Sequence, residues 1–318
     1  MIWLVWRQYR TALITIAFLL LLLATVMIFN YITYETTLQQ ELTICMTRPH
    51  SCPNIVEPSL NIPIDPNTSL ILSLGLVLLL PLTMGIFLGA PLIAREQEQR
   101  THYFAWLQSV SRGRWLAIKL GLLIVATLLG SGLLSIIATW GNLHIHSLIW
   151  TNYAMQGPIL PGYALLALTL GVAAGAFVHR TLPAMALTFV LYLALFIGLS
   201  AIFPYLLPPL SAIDKAPKAN ITMKEPINEL VVHMGYTDQQ GHEIREIGTY
   251  CGFRASATED EYEQLINQCI KEHHIQWRLD YQPPERFWPL QWIHAAVLLV
   301  ISGILVLLTF WRLRQRRM

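Results

Sequence analysis

Residues 181–207 read TLPAMALTFVLYLALFIGLSAIFPYLL, which is 27 consecutive residues without Asp, Glu, Lys or Arg. A helix of about 20 apolar residues crosses the hydrocarbon core of a bilayer. The stretch is therefore long enough to span a membrane. Five further charge-free runs occupy residues 11–29, 69–94, 120–140, 162–178 and 290–311. The sequence predicts six transmembrane helices.

The composition is typical of a membrane protein and does not favour nucleic-acid binding. Of the 318 residues, 54% are hydrophobic and only 13% are charged, and the mean hydropathy is +0.49. The net charge is +2, and the sequence has no basic patch that would favour nucleic-acid binding. The first run, residues 11–29, is longer than the apolar core of a signal peptide, which has about 7–15 residues. We therefore expect it to be an anchor that is not cleaved.

The Lys and Arg residues of the loops predict which ends face the cytoplasm, because alternate loops share a side of the membrane. One set of loops, together with both termini, holds twelve basic residues: Arg7, Arg10, Arg95, Arg100, Arg112, Arg114, Lys119, Arg180, Arg312, Arg314, Arg316 and Arg317. In the opposite set, residues 30–68 hold Arg48 alone and residues 141–161 hold none. Residues 208–289 hold eight basic and thirteen acidic residues, but long loops translocate largely regardless of charge and do not indicate orientation. Since basic residues favour the cytoplasmic side, both termini are predicted to be cytoplasmic.

The predicted fold class is an all-α polytopic membrane protein, N-in and C-in, with a small disulfide-stapled α+β domain outside. Its segments are an amphipathic inner-interface segment 1–10, TM1 11–29, an outer loop 30–68, TM2 69–94, a cytoplasmic coupling loop 95–117, TM3 118–140, an outer interfacial segment 141–161, TM4 162–178, a short inner loop 179–180, TM5 181–207, an outer domain 208–289, TM6 290–311 and a basic tail 312–318. For residues 1–10, a helix that begins early is an equal alternative.

The outer domain is predicted to contain both helix and strands. Apolar residues at helical spacing predict a helix over Ser256–His273, and strands are predicted around Leu230–Met234 and Trp277–Tyr281. All four cysteines lie in predicted outer segments, where disulfides form. Of the three possible pairings we favour the one with the shortest loops, Cys45–Cys52 and Cys251–Cys269. Four unpaired thiols are the alternative.

The predicted spans lack the groups that catalysis or ion coupling requires. Their only histidine, His294, is predicted to lie within one turn of the start of TM6. No HExxH zinc motif and no GxxxxGK[ST] phosphate loop occurs. His144-x-His146 has no third ligand, so we expect interfacial polar groups there rather than a metal site. The chain is therefore predicted to be no enzyme, to bind no metal or cofactor, and to depend on a partner for energy.

The cytoplasmic loop is the one predicted inner segment that is long enough to bind such a partner and transmit its movement to the spans. A short helix along the membrane surface is predicted, because four apolar residues share one helical face: Tyr103, Phe104, Leu107 and Val110. An interface helix without a partner is the alternative. We expect Glu96, Glu98 and Gln108 to be exposed, so that their replacement leaves the fold intact.

The whole chain resembles the permease subunit of a bacterial type-2 ABC exporter, a group with the ABCG-like fold. The resemblance rests on the order of segments and on one string: Ala94-Arg95-Glu96-x-Glu98, Thr101-His102, Trp106, Gln108-Ser109-Val110, Arg112, Arg114-Trp115 and Lys119. In that group we expect Gly before Thr101, where this chain has Arg100, which leaves the start of the coupling helix open. The resemblance implies coupling to an ATPase subunit through nine residues: Arg95, Glu96, Glu98, Thr101, His102, Trp106, Gln108, Ser109 and Arg112.

The resemblance also implies a location and partners. It implies a multi-pass protein of the bacterial plasma membrane, in contact with membrane lipid, that exports a hydrophobic or amphipathic substrate. A second permease copy would complete the path, and a separate ATP-binding subunit would hold ATP and Mg. The alternative function is a polytopic sensor or scaffold with a ligand-binding outer domain.

Small residues in the spans predict where helices approach one another. The spacings Gly85-x-x-x-Gly89 and Gly171-x-x-x-Gly175 permit close packing, for which contact within the protomer is the safer expectation. Kinks or helix ends are predicted at four prolines: Pro81, Pro91, Pro183 and Pro204.

Overall fold

The structure is a computed structural model, which describes residues 2–47, 75, 79–98, 112–144, 150, 153–214, 229–238, 240–252 and 259–315. In this part of the chain, six helices are long and apolar enough to cross a membrane, as predicted. They are α1 (Ile2–Thr47), α2 (Leu79–Glu98), α3 (Arg112–His144), α4 (Ile159–Val178), α5 (Thr181–Ile202) and, last in the chain, α8 (Phe287–Gln315).

Two compact units divide the chain. The membrane unit comprises residues 1–146, 151–199 and 291–318, and the sheet unit comprises residues 147–150 and 200–290.

α1 is one uninterrupted helix of 46 residues. It has no break at residue 10, which agrees with the alternative of a helix that begins early. It also continues through residues 30–47, part of the predicted outer loop. The loop's first proline is Pro49, so no residue in 30–47 lacks the N–H that a helix needs. The proline-rich stretch itself lies outside the described residues.

α2 changes from α-helical to π-helical geometry over Gly85–Gly89, where the N–H of Ala90 donates to the carbonyl oxygen of Gly85. Pro91 follows at once. In a regular α-helix its ring would clash with the carbonyl four residues earlier, and it has no N–H to donate. A π-turn relieves such a conflict by widening the helix locally. The irregularity of this helix therefore lies between the two prolines predicted to bend it, Pro81 and Pro91.

The backbones of α2 and α4 touch where they cross. The contact involves all four glycines of the predicted spacings: Gly85, Gly89, Gly171 and Gly175. A β-carbon added to Gly85 would lie 2.6 Å from the carbonyl oxygen of Ala167, and one added to Gly175 would lie 2.6 Å from that of Ala90. Real β-carbons do not approach so closely, so the crossing exists because these positions lack side chains. The contact lies within one protomer.

α4 is the most enclosed helix of the membrane unit. In the most apolar stretch of α4, 94% of the residues are buried, against 17% in the corresponding stretch of α1 and 11% in that of α5. α1 packs on α3 through two further glycines, which belong to neither of the predicted spacings. Gly141 contacts the ring of Tyr31, and a β-carbon added to Gly130 would lie 2.6 Å from Leu20 Cδ1. Close packing therefore depends on glycine at a second crossing as well.

The sheet unit contains an antiparallel sheet with the strand order β1-β4-β2-β3. Its elements are β1 (Leu210–Asp214), β2 (Leu230–Thr237), β3 (Glu243–Ile244), α6 (Ile247–Tyr250), α7 (Glu259–Glu272) and β4 (Gln276–Gln282). The two predicted strands are confirmed as β2 and β4. The predicted helix is confirmed as α7, and residues 256–258 of its predicted range are not among those described. β1, β3 and α6 are new.

The core of the sheet unit is built around a disulfide between Cys251 and Cys269. Cys269 is buried with the side chains of Ile244, Ile266, Ile270 and Ile275. The bridge closes a separation of 18 residues, and a loop of this length stabilises a fold by about 3 kcal/mol in the chain-entropy account. This predicted pair is confirmed. Cys52 lies outside the described residues, so the Cys45–Cys52 pair stays a prediction.

Candidate functional site: the helix-end network

The residues predicted to couple to an ATPase fall into two groups. Arg95, Glu96 and Glu98 lie in the last turn of α2, and Arg112 is the first residue of α3. The other five lie in the segment between these helices, outside the described residues: Thr101, His102, Trp106, Gln108 and Ser109. The geometry of the candidate site is therefore that of the two helix ends that flank residues 99–111.

An ion pair joins these two helix ends. The ammonium group of Lys119, in the second turn of α3, donates to Glu96 Oε1. Only 3% of the Lys119 side chain and 12% of the Glu96 side chain are exposed. The ammonium nitrogen also lies 4.5 Å from the centre of the Trp115 ring, a cation–π distance. α2 and α3 are thus joined by a pair of charges that is largely shielded from solvent.

Glu98 joins the end of α2 to the start of α5. Its Oε2 atom accepts hydrogen bonds from the backbone N–H of Thr181 at 3.1 Å and from the Thr181 hydroxyl at 2.6 Å. Thr181 is the first residue of α5, where backbone N–H groups have no partner within the helix. A carboxylate at this position also interacts favourably with the helix dipole. Glu98 therefore acts as a helix cap supplied by a different helix.

Packing brings further helix ends to the same place. One buried cluster contains Leu92 of α2, Trp115 and Leu116 of α3, and Leu313 of α8. Ile16 of α1 packs against this cluster. The guanidinium carbon of Arg312 lies 5.5 Å from the centre of the Phe177 ring at the end of α4. The ends of α2, α4 and α8 and the starts of α3 and α5, which border the predicted inner loops, therefore meet at one end of the membrane unit. We call Glu96, Glu98, Trp115, Lys119 and Thr181 the helix-end network.

One expectation about this network is wrong. Glu96 is not an exposed side chain whose replacement would leave the fold intact, because it pairs with a buried lysine. Glu98 is exposed, as expected, although its carboxylate is bound by Thr181. Lys119 carried a signal in the sequence, since it directly precedes a charge-free run that begins at Leu120. A charge so close to a span indicates a buried partner or a helix end.

A second correction concerns His294. α8 begins at Phe287, so His294 lies two turns inside the helix rather than within a turn of its end. It is buried, and its Nε2 atom shares a hydrogen bond with the hydroxyl of Tyr163 at 3.2 Å. The rings of Tyr192 and Phe196 contact Tyr163 from α5. A polar aromatic cluster thus joins α4, α5 and α8, which apolar runs alone did not predict.

Two carboxyl groups of the sheet unit have lowered pKa values. The backbone N–H of His242 donates to Asp238 at 2.8 Å, and this bond is the main reason that the Asp238 pKa lies below its usual range. Partial burial alone would raise the pKa of Asp280, but a hydrogen bond from Arg278 at 2.9 Å helps to lower it. Among the described residues, no group of three or more His, Cys, Asp and Glu could hold a metal ion.

Comparison with known sequences identifies the family. The six apolar helices define a multi-pass membrane protein. A sequence-family model described as ABC-2 membrane transporter related matches residues 17–203. The match covers more than half of the chain, which therefore belongs to this family. No curated protein and no solved structure matches the chain. Membership indicates a transporter permease, a class that generally has no catalytic activity and usually works with an ATP-binding subunit.

Proposed function

We propose that the chain is the permease subunit of an ABC exporter in the bacterial plasma membrane, with both termini in the cytoplasm. Two copies form the path, and a separate subunit hydrolyses ATP and holds its Mg. The substrate is hydrophobic or amphipathic, because the residues of the spans, which would line its path, are almost entirely apolar. The proposal is carried by the family match over residues 17–203.

The helix-end network supports a coupling role for residues 99–111. The Glu96–Lys119 pair holds together the two helices between which these residues lie. A force on the segment would therefore move the end of α2 and the start of α3 as one body. Glu98 would carry the same displacement to the start of α5. An ATPase bound to residues 99–111 could thus shift three helices through one contact.

The orientation is tested with single cysteines in a variant that lacks Cys45 and Cys52. A cysteine in place of Arg245, an exposed residue of the sheet unit, is expected to react with an impermeant maleimide applied to intact cells. A cysteine in place of Gly113, whose surroundings are open, is expected to react only after the cells are broken. Gly241, another exposed residue of the sheet unit, is unsuitable for a cysteine because its φ of +85° disfavours residues other than glycine. The reverse pattern would contradict the proposed topology and, with it, export.

The coupling role is tested by replacing residues 99–110 with a Gly/Ser sequence of equal length. The helix-end network keeps all its members in this variant, so we expect an unchanged unfolding temperature. We also expect the ATPase that co-purifies with the parent chain in mild detergent to be lost, together with its stimulation. A length-matched control replaces residues 216–227 of the predicted outer domain. Unchanged ATPase binding and stimulation in the first variant would favour a sensor or scaffold instead.

A further inference from the structure

The π-turn of α2 changes the direction in which the residues after it point. A π-turn closes its hydrogen bond over five residues rather than four, so Gly85–Gly89 holds one residue more than a regular turn. Each residue of an α-helix advances the direction of its side chain by about 100°. Because the extra residue is taken up within the turn, each residue of Ala90–Glu98 points about 100° behind its direction in a regular α-helix.

This rotation places small residues from both sides of the π-turn against α4. The backbone nitrogen of Ala94 lies 3.3 Å from a β-carbon added to Gly175 of α4, and Gly85 lies at the same crossing. Ala94 is fully buried. Gly85 and Ala94 are nine residues apart, so a regular α-helix would place them about 180° apart. The π-turn reduces this angle to about 80°, which allows both residues to face α4.

The same rotation directs the two carboxylates of the helix-end network. Glu96 and Glu98 are two residues apart, so their side chains point about 200° apart. Glu96 pairs with Lys119 of α3. Glu98 accepts its hydrogen bonds from Thr181 of α5. In a regular α-helix Glu96 would instead lie about 20° from Gly85, and its carboxylate would point at the backbone of α4. Both contacts of the network therefore depend on the extra residue.

The local sequence confines the extra residue to this turn. Pro91 has no N–H, and in a regular α-helix its ring would clash with the carbonyl group of Phe87. Gly85 and Gly89, at the two ends of the turn, are poor helix formers, which lowers the free-energy cost of leaving α-helical geometry. π-turns are rare in proteins and occur frequently at functional sites. This one ends about two turns before Glu96.

We propose that the π-turn is the positioning element of the coupling end of α2. Its extra residue sets the directions of Glu96 and Glu98, so that a force on residues 99–111 reaches α3 and α5 at the same time. The π-turn acts through these two carboxylates. The dependence of the two contacts on the extra residue stands on the geometry alone, whereas the transmission of force rests on the proposed function.

Two deletions change the direction of the helix end in opposite ways. Deletion of Phe87, an exposed residue of the π-turn, is combined with Pro91→Ala. This compensated deletion allows a regular α-helix in which Glu96 and Glu98 keep their present directions. Deletion of Arg95, an exposed residue after the turn, leaves the π-turn in place and rotates both carboxylates by about 100°. We call it the rotating deletion. Arg95→Met removes the same charge without changing the length of the helix and is the matched control.

The direction of the helix end is measured by cross-linking Glu98→Cys to Thr181→Cys in a variant that lacks Cys45 and Cys52. The full chain in nanodiscs is treated with butanediyl bismethanethiosulfonate, and joined peptides are identified by mass spectrometry. We expect the cross-link when α2 is otherwise unchanged, in Arg95→Met and in the compensated deletion. We expect its loss in the rotating deletion.

Stimulation of the co-purifying ATPase is measured in the same deletions with Glu98 and Thr181 retained. We expect the compensated deletion and Arg95→Met to stimulate ATP hydrolysis and the rotating deletion not to do so. The unfolding temperature and elution volume establish which variants are folded, and if one deletion does not fold, the other decides the matter. An intact cross-link in the folded rotating deletion, or its loss in the folded compensated deletion, would overturn the proposal. Because cross-linking needs no ATPase, the expected cross-links without stimulation by any variant would count against the proposed function alone.

Discussion

Adding a single methyl group in Gly171→Ala is expected to destabilise the membrane unit by about 3 kcal/mol, near the upper end for an overpacked core. The new β-carbon would lie 2.8 Å from the backbone nitrogen of Ala90 and 3.0 Å from Gly89 Cα. Both are backbone atoms, which cannot rotate away as the end of a side chain can. The π-turn of α2 lies at the same point, so the crossing would have to separate or the turn would have to change its hydrogen bonding.

The matched control is Gly303→Ala in α8, where an added β-carbon meets nothing within 4 Å. Alanine favours a helix over glycine by about 1 kcal/mol, so the control should be as stable as the parent chain or more so. The measurement is the unfolding temperature of the full chain in detergent, followed by the retained monodisperse fraction after heating. If Gly171→Ala and Gly303→Ala have the same unfolding temperature, α2 and α4 do not cross closely at Gly171.

The spans could be predicted from the sequence because the hydrocarbon core requires long apolar runs, whatever their neighbours are. Helix ends in water have no such requirement. Accordingly, α1 runs on to Thr47 and α2 runs on to Glu98, beyond the apolar runs that predicted them. Propensity and hydrogen bonding within the helix suffice to extend it until a proline or a new contact ends it.

Contacts between distant residues could not be predicted in the same way. The spacing Gly85-x-x-x-Gly89 indicated a close approach, but nothing in it named α4 as the partner. Likewise, Glu96 and Lys119 are separated by 23 residues, and a pairing over that distance follows from how α2 and α3 lie together. The strand β4 alternates polar and apolar residues, and β2 begins with an apolar run, residues 230–232, so both could be predicted. β3, with two residues, is too short to show a period.

Removing the charge of Lys119 in Lys119→Met is expected to cost about 3–5 kcal/mol, the range for breaking a buried ion pair. Glu96 would remain as a carboxylate with 12% of its side chain exposed, too little for full hydration. Methionine can occupy the same space and still contact Trp115, so the loss should come from the charge rather than from packing. Arg95→Met, at an exposed position of the preceding helix end, is the control and should change stability by about 0.5 kcal/mol or less.

The double variant Glu96→Gln with Lys119→Met separates the structural role of the pair from its proposed coupling role. Since neither residue is then charged, most of the lost stability should return, because replacing a whole buried pair by neutral groups is often close to neutral. The link between α2 and α3 would nevertheless be weaker, because the ion pair is gone. We therefore expect a folded permease that binds the co-purifying ATPase but no longer stimulates ATP hydrolysis. Full stimulation by the stable double variant would show that the pair only holds the fold, and that force on residues 99–111 reaches the spans by another route.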